Sequence, residues 1–530
     1  MNYRLFFFAV TSALAGFLFG FDTVVISGAE SKIQQLWSLS GTAHGLAISA
    51  ALWGTVLGSL FGNIPATKFG RKNTLITNGI LFLVGALGSA VVNDVYSFFL
   101  FRFIGGIGIG MSTVAAPLYI SEIAPKEHRG KLTGLFQFNI VFGILMAFFS
   151  NYVIGSLCDE STAWRYMLGI QILPAFVYTM MCLYIPESPR YLIIQKNQLA
   201  EAIRVFKTIS PEYTDSQIEN LVLSVKEDND KHNESALQKV KFFTYKLRYP
   251  ILFAFLIAAF NQLSGINIIL YFAPRLLGLA GIEDPVQASI LLGITNLIAT
   301  FIGIRLIDML GRKTLLIIGC VGYIASLSIC TYSFFSCHDL KVISAAVDVQ
   351  NSSTHLENLK NNIVFSTDND KVEALISYDK SVANLEESIK NTQYDAIFDT
   401  VDVKSVQEFA SSVKAKASSN ISTTSITVLS CMIIFIASHA IGSGTIIWVF
   451  ISEIFPNSVR AKGQSLGSFT HWIFAALLTL IFPVIIANFE TGYIFAFFSI
   501  MMIAQLIWCV LVMPETKGKS LEEISAKLTR

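Results

Sequence analysis

Apolar runs of membrane-crossing length, set apart by short polar stretches, fill most of this 530-residue chain. About 20 residues of helix cross the roughly 30 Å of a bilayer's hydrocarbon. Runs at 5–29, 43–66, 74–92, 97–120, 131–155, 165–185, 250–277, 286–307, 313–335, 425–451, 463–487 and 491–513 therefore predict six plus six spans. The polar stretch 187–248 between the sixes has helical spacing from Leu199 to Phe206 and predicts a linker with short surface helices. A second polar stretch, 336–424, separates spans 9 and 10. Its apolar positions Val372, Leu375, Ile376, Val382, Leu385, Ile389, Val403, Val406, Phe409 and Val413 predict two or three amphipathic helices.

The polar punctuation repeats. Ser121-Glu122-Ile123-Ala124-Pro125 returns as Ser452-Glu453-Ile454-Phe455-Pro456, Gly70-Arg71-Lys72 as Gly311-Arg312-Lys313, and Pro186-Glu187-Ser188 as Pro514-Glu515-Thr516, in the same order. A period this long marks a duplicated domain and not a stacked array. The second interval between repeats is longer than the first by about 90 residues, which identifies 336–424 as an insertion. The expected organisation is 1–186 and 249–335 with 425–513 as two six-span halves, 187–248 as linker, 336–424 as insert and 514–530 as tail.

Composition agrees with a polytopic membrane protein: 53% hydrophobic residues, 14% charged and a mean hydropathy of +0.58 lie outside the balance of soluble domains. The first apolar run continues into Gly20-Phe21-Asp22 without a small-residue cleavage site, so it is expected to stay as a span. Basic residues gather in alternate loops (Lys68, Arg71, Lys72; Lys126, Arg129, Lys131; Arg312, Lys313; Arg460, Lys462), which predicts that the repeated motifs and both termini are cytoplasmic and the insert extracytoplasmic. Cysteines show no metal-ligand spacing, although Cys158 and Cys337 flank far ends of spans and are candidates for pairing. The glycine run Gly105, Gly106, Gly108 and Gly110 sits inside a span and follows no strand, so it supplies no nucleotide site. Cofactor, metal and nucleic-acid chemistry find no support, and an enzyme is not expected.

Taken in order, Gly20-Phe21-Asp22-Thr23, Phe69-Gly70-Arg71-Lys72, Arg102 through Gly110, Pro186-Glu187-Ser188-Pro189-Arg190, Gln262-Leu263-Ser264-Gly265-Ile266-Asn267 and Pro514-Glu515-Thr516-Lys517-Gly518 resemble the sugar porter family of the major facilitator superfamily. The resemblance covers nearly the whole chain outside the insert. It implies an all-α fold of 12 spans in two six-helix bundles, a substrate site at the midplane between them, and alternating access by rocking of one bundle on the other.

By position, the resemblance implies a sugar lined by Phe19, Gln137, Asn261, Gln262, Asn267, Tyr271, Asn296, Trp448, His471 and Trp472. These residue types suit a sugar, since amides both donate and accept toward hydroxyls, and indole faces take the C–H surface of the ring. The competing reading of each amide is interhelical glue, worth roughly 0.6–2 kcal/mol. Three positions depart from the family pattern: Asn261 for Gln, His471 where Asn or Gln is usual, and Gly444-Thr445 for Gly-Pro. The resemblance also implies a cytoplasmic gate of Arg71, Glu122, Arg129 and Glu187 in the first half and Asp308, Arg312, Glu453 and Arg460 in the second, with Thr67 standing where an Asp is usual.

Asp22 is a carboxylate deep in a span, where charge costs about 2.5–3.5 kcal/mol, and such an acid is a proton-relay candidate. In proton-coupled members of the family the residues matching Asp22 and Arg102 face each other. The expected function is proton-coupled import of a monosaccharide, a hexose or a pentose such as xylose, by a monomer in a plasma or bacterial inner membrane. A facilitative uniporter, a proton/myo-inositol symporter and a non-transporting sensor are the alternatives.

Overall fold

The computed structural model describes residues 2–125, 128–237, 242–361, 368–390, 392–394, 402–456, 459–519, 523–524 and 528; the side chains of Arg129 and Asp308, both expected at the gate, lie outside the described residues. Among the described residues twelve helices are long and apolar enough to cross a membrane: Tyr3–Gly28, Gly41–Lys68, Arg71–Val91, Val95–Ile123, Gly130–Leu157, Ser161–Tyr184, Tyr245–Tyr271, Pro285–Ile307, Arg312–Ser336, Ser422–Ile454, Arg460–Asn488 and Thr491–Leu511, numbered here as spans 1 to 12.

Spans 1 to 6 pack on one another, as do spans 7 to 12, giving two bundles. Helices in lipid gain no hydrophobic drive from association, so close backbone approach through small residues holds them. A Cβ on Gly106 of span 4 would collide with the Ala51 carbonyl of span 2, and one on Gly110 with that of Thr55. The bundles meet chiefly where span 2 lies along span 11 and span 5 along span 8. At Gly45 the approach is closest, with the Leu480 carbonyl occupying the place a Cβ would take.

Gly45 and Leu480 lie at the end opposite the repeated motifs, called here the far end. Three apolar cores follow the same division. One joins Leu5, Leu75 and Ile123 with the linker helix Leu199–Ile209 in the first half. A second joins Phe253, Leu315 and Phe450 in the second half. The third spans the far end, running from Val25, Ile33 and Ile48 of the first half through Leu276 and Phe482 of the second to Leu340, Val349 and Val413 of the insert. One core is shared at the far end and the cores are separate at the motif end, so apolar packing ties the two bundles together at the far end.

Among the described residues the insert forms three helices, His338–Asn361, Asp368–Ile389 and Val403–Asn420. Val382, Leu385, Ile389, Val406 and Val413 are buried as the spacing predicts, but Val372, Leu375 and Ile376 are exposed. The apolar period near the start of the second helix is continued past the point where a neighbour covers it. Cys158 and Cys337 are free thiols, so the pairing does not form.

Among the described residues, four spans that read as continuous in sequence are interrupted, span 2 at Gly62, span 6 at Ile170 and Gln171, and spans 7 and 10. Span 7 runs Arg248–Leu263, turns at Gly265 in the left-handed region (φ 89°), and resumes as Ile266–Tyr271 and Ala273–Leu279. Span 10 breaks at Gly442 between Ser422–Ile441 and Ser443–Ile454, without a proline. The breaks of spans 7 and 10 are packed against neighbouring helices, Gly265 on Phe498 of span 12 and Gly442 on Gly319 of span 9, and irregular backbone is tolerated where protein and not lipid surrounds it.

Candidate functional site

The span 7 break sets a row of amides. Asn261 and Gln262 end the first segment and Asn267 opens the second, so the turn at Gly265 folds them onto one another. Asn267 Nδ2 donates to Gln262 Oε1 at 2.9 Å, and Gln262 Nε2 donates to Asn261 Oδ1 at 3.1 Å. Gln262 Nε2 also lies 3.0 Å and 3.2 Å from the two ring nitrogens of His471 on span 11. The His471 ring stands between indoles, 5.2 Å from Trp448 and 4.7 Å from Trp472. Phe19 of span 1 meets Trp472 edge-on at 5.4 Å, so an aromatic contact from the first half closes over the amide row of the second. Gln137 and Asn296 belong to spans 5 and 8, which border the same interval, but among the described hydrogen bonds neither joins this network.

Each amide is satisfied by another amide or an imidazole. A sugar hydroxyl that replaced one of these bonds would exchange like for like, and such an exchange has a small net free energy. The site is suited to a neutral polyol.

Tyr271 is fully buried and stands within electrostatic reach of Asp22 and Arg102 of the first half. Arg102 Nη1 of span 4 donates to Asp22 Oδ1 of span 1 at 2.5 Å, with both side chains buried. Asp22 Oδ2 and Arg102 Nε and Nη2 are buried without a hydrogen-bond partner among the described residues. A pair held by one contact, with three more polar atoms enclosed, is less satisfied than buried ion pairs usually are.

The repeated motifs fold into two copies of one cluster. In the first, Arg71 forks onto Glu122 through Nε and Nη2, both at 2.8 Å, and Ser188 Oγ donates to Glu122 Oε2 at 2.5 Å. Glu187 Oε1 accepts from the backbone N–H of Arg71, Lys72 and Ser188, capping span 3. In the second, Arg312 Nη2 donates to Glu453 Oε1 at 2.8 Å and Thr516 Oγ1 to Glu453 Oε2 at 2.6 Å, while Glu515 accepts from the N–H of Arg312, Lys313, Thr516 and Lys517. These pairs close within each half. Arg460 donates to the Phe455 carbonyl at 3.4 Å, and Thr67 turns back onto the Asn63 and Ile64 carbonyls.

The profile of the family described as sugar (and other) transporters matches residues 8–348 and 408–528. The chain belongs to this family. The unmatched residues 349–407 fall inside the insert. The D-xylose transporter of Levilactobacillus brevis is 28% identical over 97% of this chain and 94% of that protein. The D-xylose-proton symporter of Escherichia coli K12 is 26% identical over 98% and 95%. A solved structure titled as the inward open conformation of the xylose transporter XylE from E. coli superposes with a TM-score of 0.72, at 25% identity over 99% of each chain.

Several residues of this sugar-transporter chain enter the picture only through its packing. Glu515 has a sequence signal as the repeat of Glu187. His439 has none: its Nδ1 lies 2.6 Å from Tyr323 Oη, and its ring stands near His471. At the far end Glu30, Gln34, His44 and Arg275 form a further cluster. Arg275 is the one charged residue in the apolar run 250–277, two positions from its end, and that isolation is its signal.

Proposed function

We propose that the chain is a secondary transporter that imports a monosaccharide, a hexose or a pentose such as xylose, together with a proton. It works as a monomer by alternating access, with the motif end and both termini in the cytoplasm of a plasma or bacterial inner membrane. The observation that carries this reading is the buried, under-satisfied pair Asp22–Arg102 with Tyr271 within electrostatic reach of it. Protonating Asp22 removes the attraction that ties span 1 to span 4, and the enclosed polar atoms supply no substitute. Tyr271 belongs to the same span as Asn261, Gln262 and Asn267, so a change at the ion pair reaches the sugar row through one broken helix. Gln137, Asn296, Trp448, His471, Trp472 and Phe19 complete the sugar's walls in this scheme, and the paired motif clusters hold each half rigid while it rocks.

Reconstituted vesicles and labelled xylose or glucose test it. One pH unit supplies about 1.4 kcal/mol, enough for about tenfold accumulation in one-to-one symport. Wild type is expected to reach that level, and Asp22→Asn to equilibrate sugar without concentrating it while retaining counterflow. Wild type that gains nothing from the gradient, or Asp22→Asn that accumulates as well as wild type, would leave a uniporter instead.

A further inference from the structure

At the far end a single cation joins three parts of the molecule. Arg275, on the last segment of span 7, donates through Nε to Glu30 Oε1 at 2.9 Å, and its Nη2 lies 2.9 Å from Glu30 Oε2 and 2.5 Å from Gln34 Oε1. Glu30 and Gln34 belong to the short helix Glu30–Leu36 that follows span 1, so the fork bridges the two halves. His44 of span 2 contacts the same carboxylate, with Nε2 at 3.2 Å from Oε2. Burial alone would raise the Glu30 carboxyl, but Arg275 and His44 outweigh it and hold it below the ordinary value. The pair is thus a buried ion pair, hydrogen-bonded from Nε to Oε1, across the surface that must separate if the far end opens.

Opening would strand Arg275. A buried ion pair that loses one partner leaves an uncompensated charge, which is strongly unfavourable. The first insert helix, His338–Asn361, packs on both the short helix Glu30–Leu36 and the segment Ala273–Leu279. It brings Asp348 within electrostatic reach of Arg275, with Lys380 of the second insert helix as the other cation facing it. Arg275 nevertheless commits its Nε to Glu30 and its Nη2 to Gln34.

We propose that Arg275 is a bridge with two alternative acids: Glu30 holds it while the far end is closed, and Asp348 of the insert takes it over when the far end opens. The insert then has a role in the transport cycle, lowering the cost of outward opening. Burial pushes the Asp348 carboxyl up to about 7, with Arg275 and Lys380 pulling it down, as befits an acid whose cation is committed elsewhere in this state. The inference rests on alternating access from the function proposed above, but not on the proton or on the identity of the sugar.

The test is the distance between labels on unnatural amino acids at Thr42 and Asn488, exposed far-end positions in opposite halves, under a sugar concentration and pH at which wild type populates both a short and a long distance. The labels leave the native cysteines in place. Glu30→Gln is expected to raise the long-distance population about fivefold or more, and Asp348→Asn to lower it by a similar factor, with a matching fall in the rate of labelled-sugar exchange. Asp348→Asn is isosteric with the neutral acid and leaves the insert's packing intact. Lys404→Gln, an exposed charge on the third insert helix, is expected to change nothing. If Asp348→Asn raises the long-distance population, or leaves both it and the exchange rate as in wild type, the hand-over is wrong. Loss of proton-driven accumulation would not bear on these distances, so the two proposals fail separately.

Discussion

The two halves share one repeated frame, yet they bury different kinds of polarity. The first half places a charge pair, Asp22 with Arg102, among its spans; the second places uncharged amides and an imidazole, Asn261, Gln262, Asn267 and His471. A charge in low dielectric responds strongly to one proton and poorly to a neutral ligand, whereas an amide row does the reverse. The duplication thus kept the frame, seen in the matched motif clusters, while the interiors of the halves differ in what they can bind.

Stability separates the halves most. Arg102→Leu leaves Asp22 buried without its partner and is expected to destabilise by about 3–5 kcal/mol, against roughly 0.6–2 kcal/mol for Gln262→Leu. Thermal unfolding of the purified proteins in detergent measures both, and equal losses would erase the distinction. Sugar affinity should separate them in the opposite sense. Gln262→Ala removes the node that bonds Asn261, Asn267 and His471, and is expected to weaken binding by about 1–3 kcal/mol, while Asp22→Asn leaves affinity nearly unchanged. Equilibrium binding of labelled sugar at fixed pH decides this.

The smallest contrast lies in the two motif clusters. Burial raises the Glu187 carboxyl above 4.5 despite its backbone donors, whereas at Glu515 the donors outweigh burial and lower it. The signs follow by linkage. Glu515 contributes stability above pH 4.5 that is lost as pH falls through its depressed value; ionised Glu187 carries a penalty that sets in as pH rises from 4.5 through its raised value. Glu515→Gln is therefore expected to cost about 0.3–1 kcal/mol at neutral pH, shrinking toward acid, and Glu187→Gln to be neutral or mildly stabilising there. Unfolding midpoints of the two variants between about pH 4 and 7 check the opposite slopes.

The number of spans, their duplication and the location of the insert are legible in the sequence because each rests on local composition: length of apolar run, order of short motifs, distance between repeats. The pairing of Asp22 with Arg102 is legible through resemblance, since nothing local says that residues 80 positions apart meet. His439, Tyr323 and Glu30 are silent for the same reason, being ordinary polar residues until packing brings them to a partner. The resemblance puts Tyr271 in the sugar row, and only packing brings it within electrostatic reach of Asp22 and Arg102 as well.

By itself the sequence determined that this chain crosses the membrane twelve times as two related halves, because hydrophobic length and repeated motifs are properties of the chain alone. Only the tertiary structure decided which polar groups answer one another: the amide row folded at Gly265, the Glu–Arg clusters closed within each half, and Arg275 held on Glu30 and Gln34 across the halves. Those choices depend on distances of a few ångströms between residues far apart in sequence, and in a low-dielectric interior such distances decide whether a polar group is stabilised or stranded.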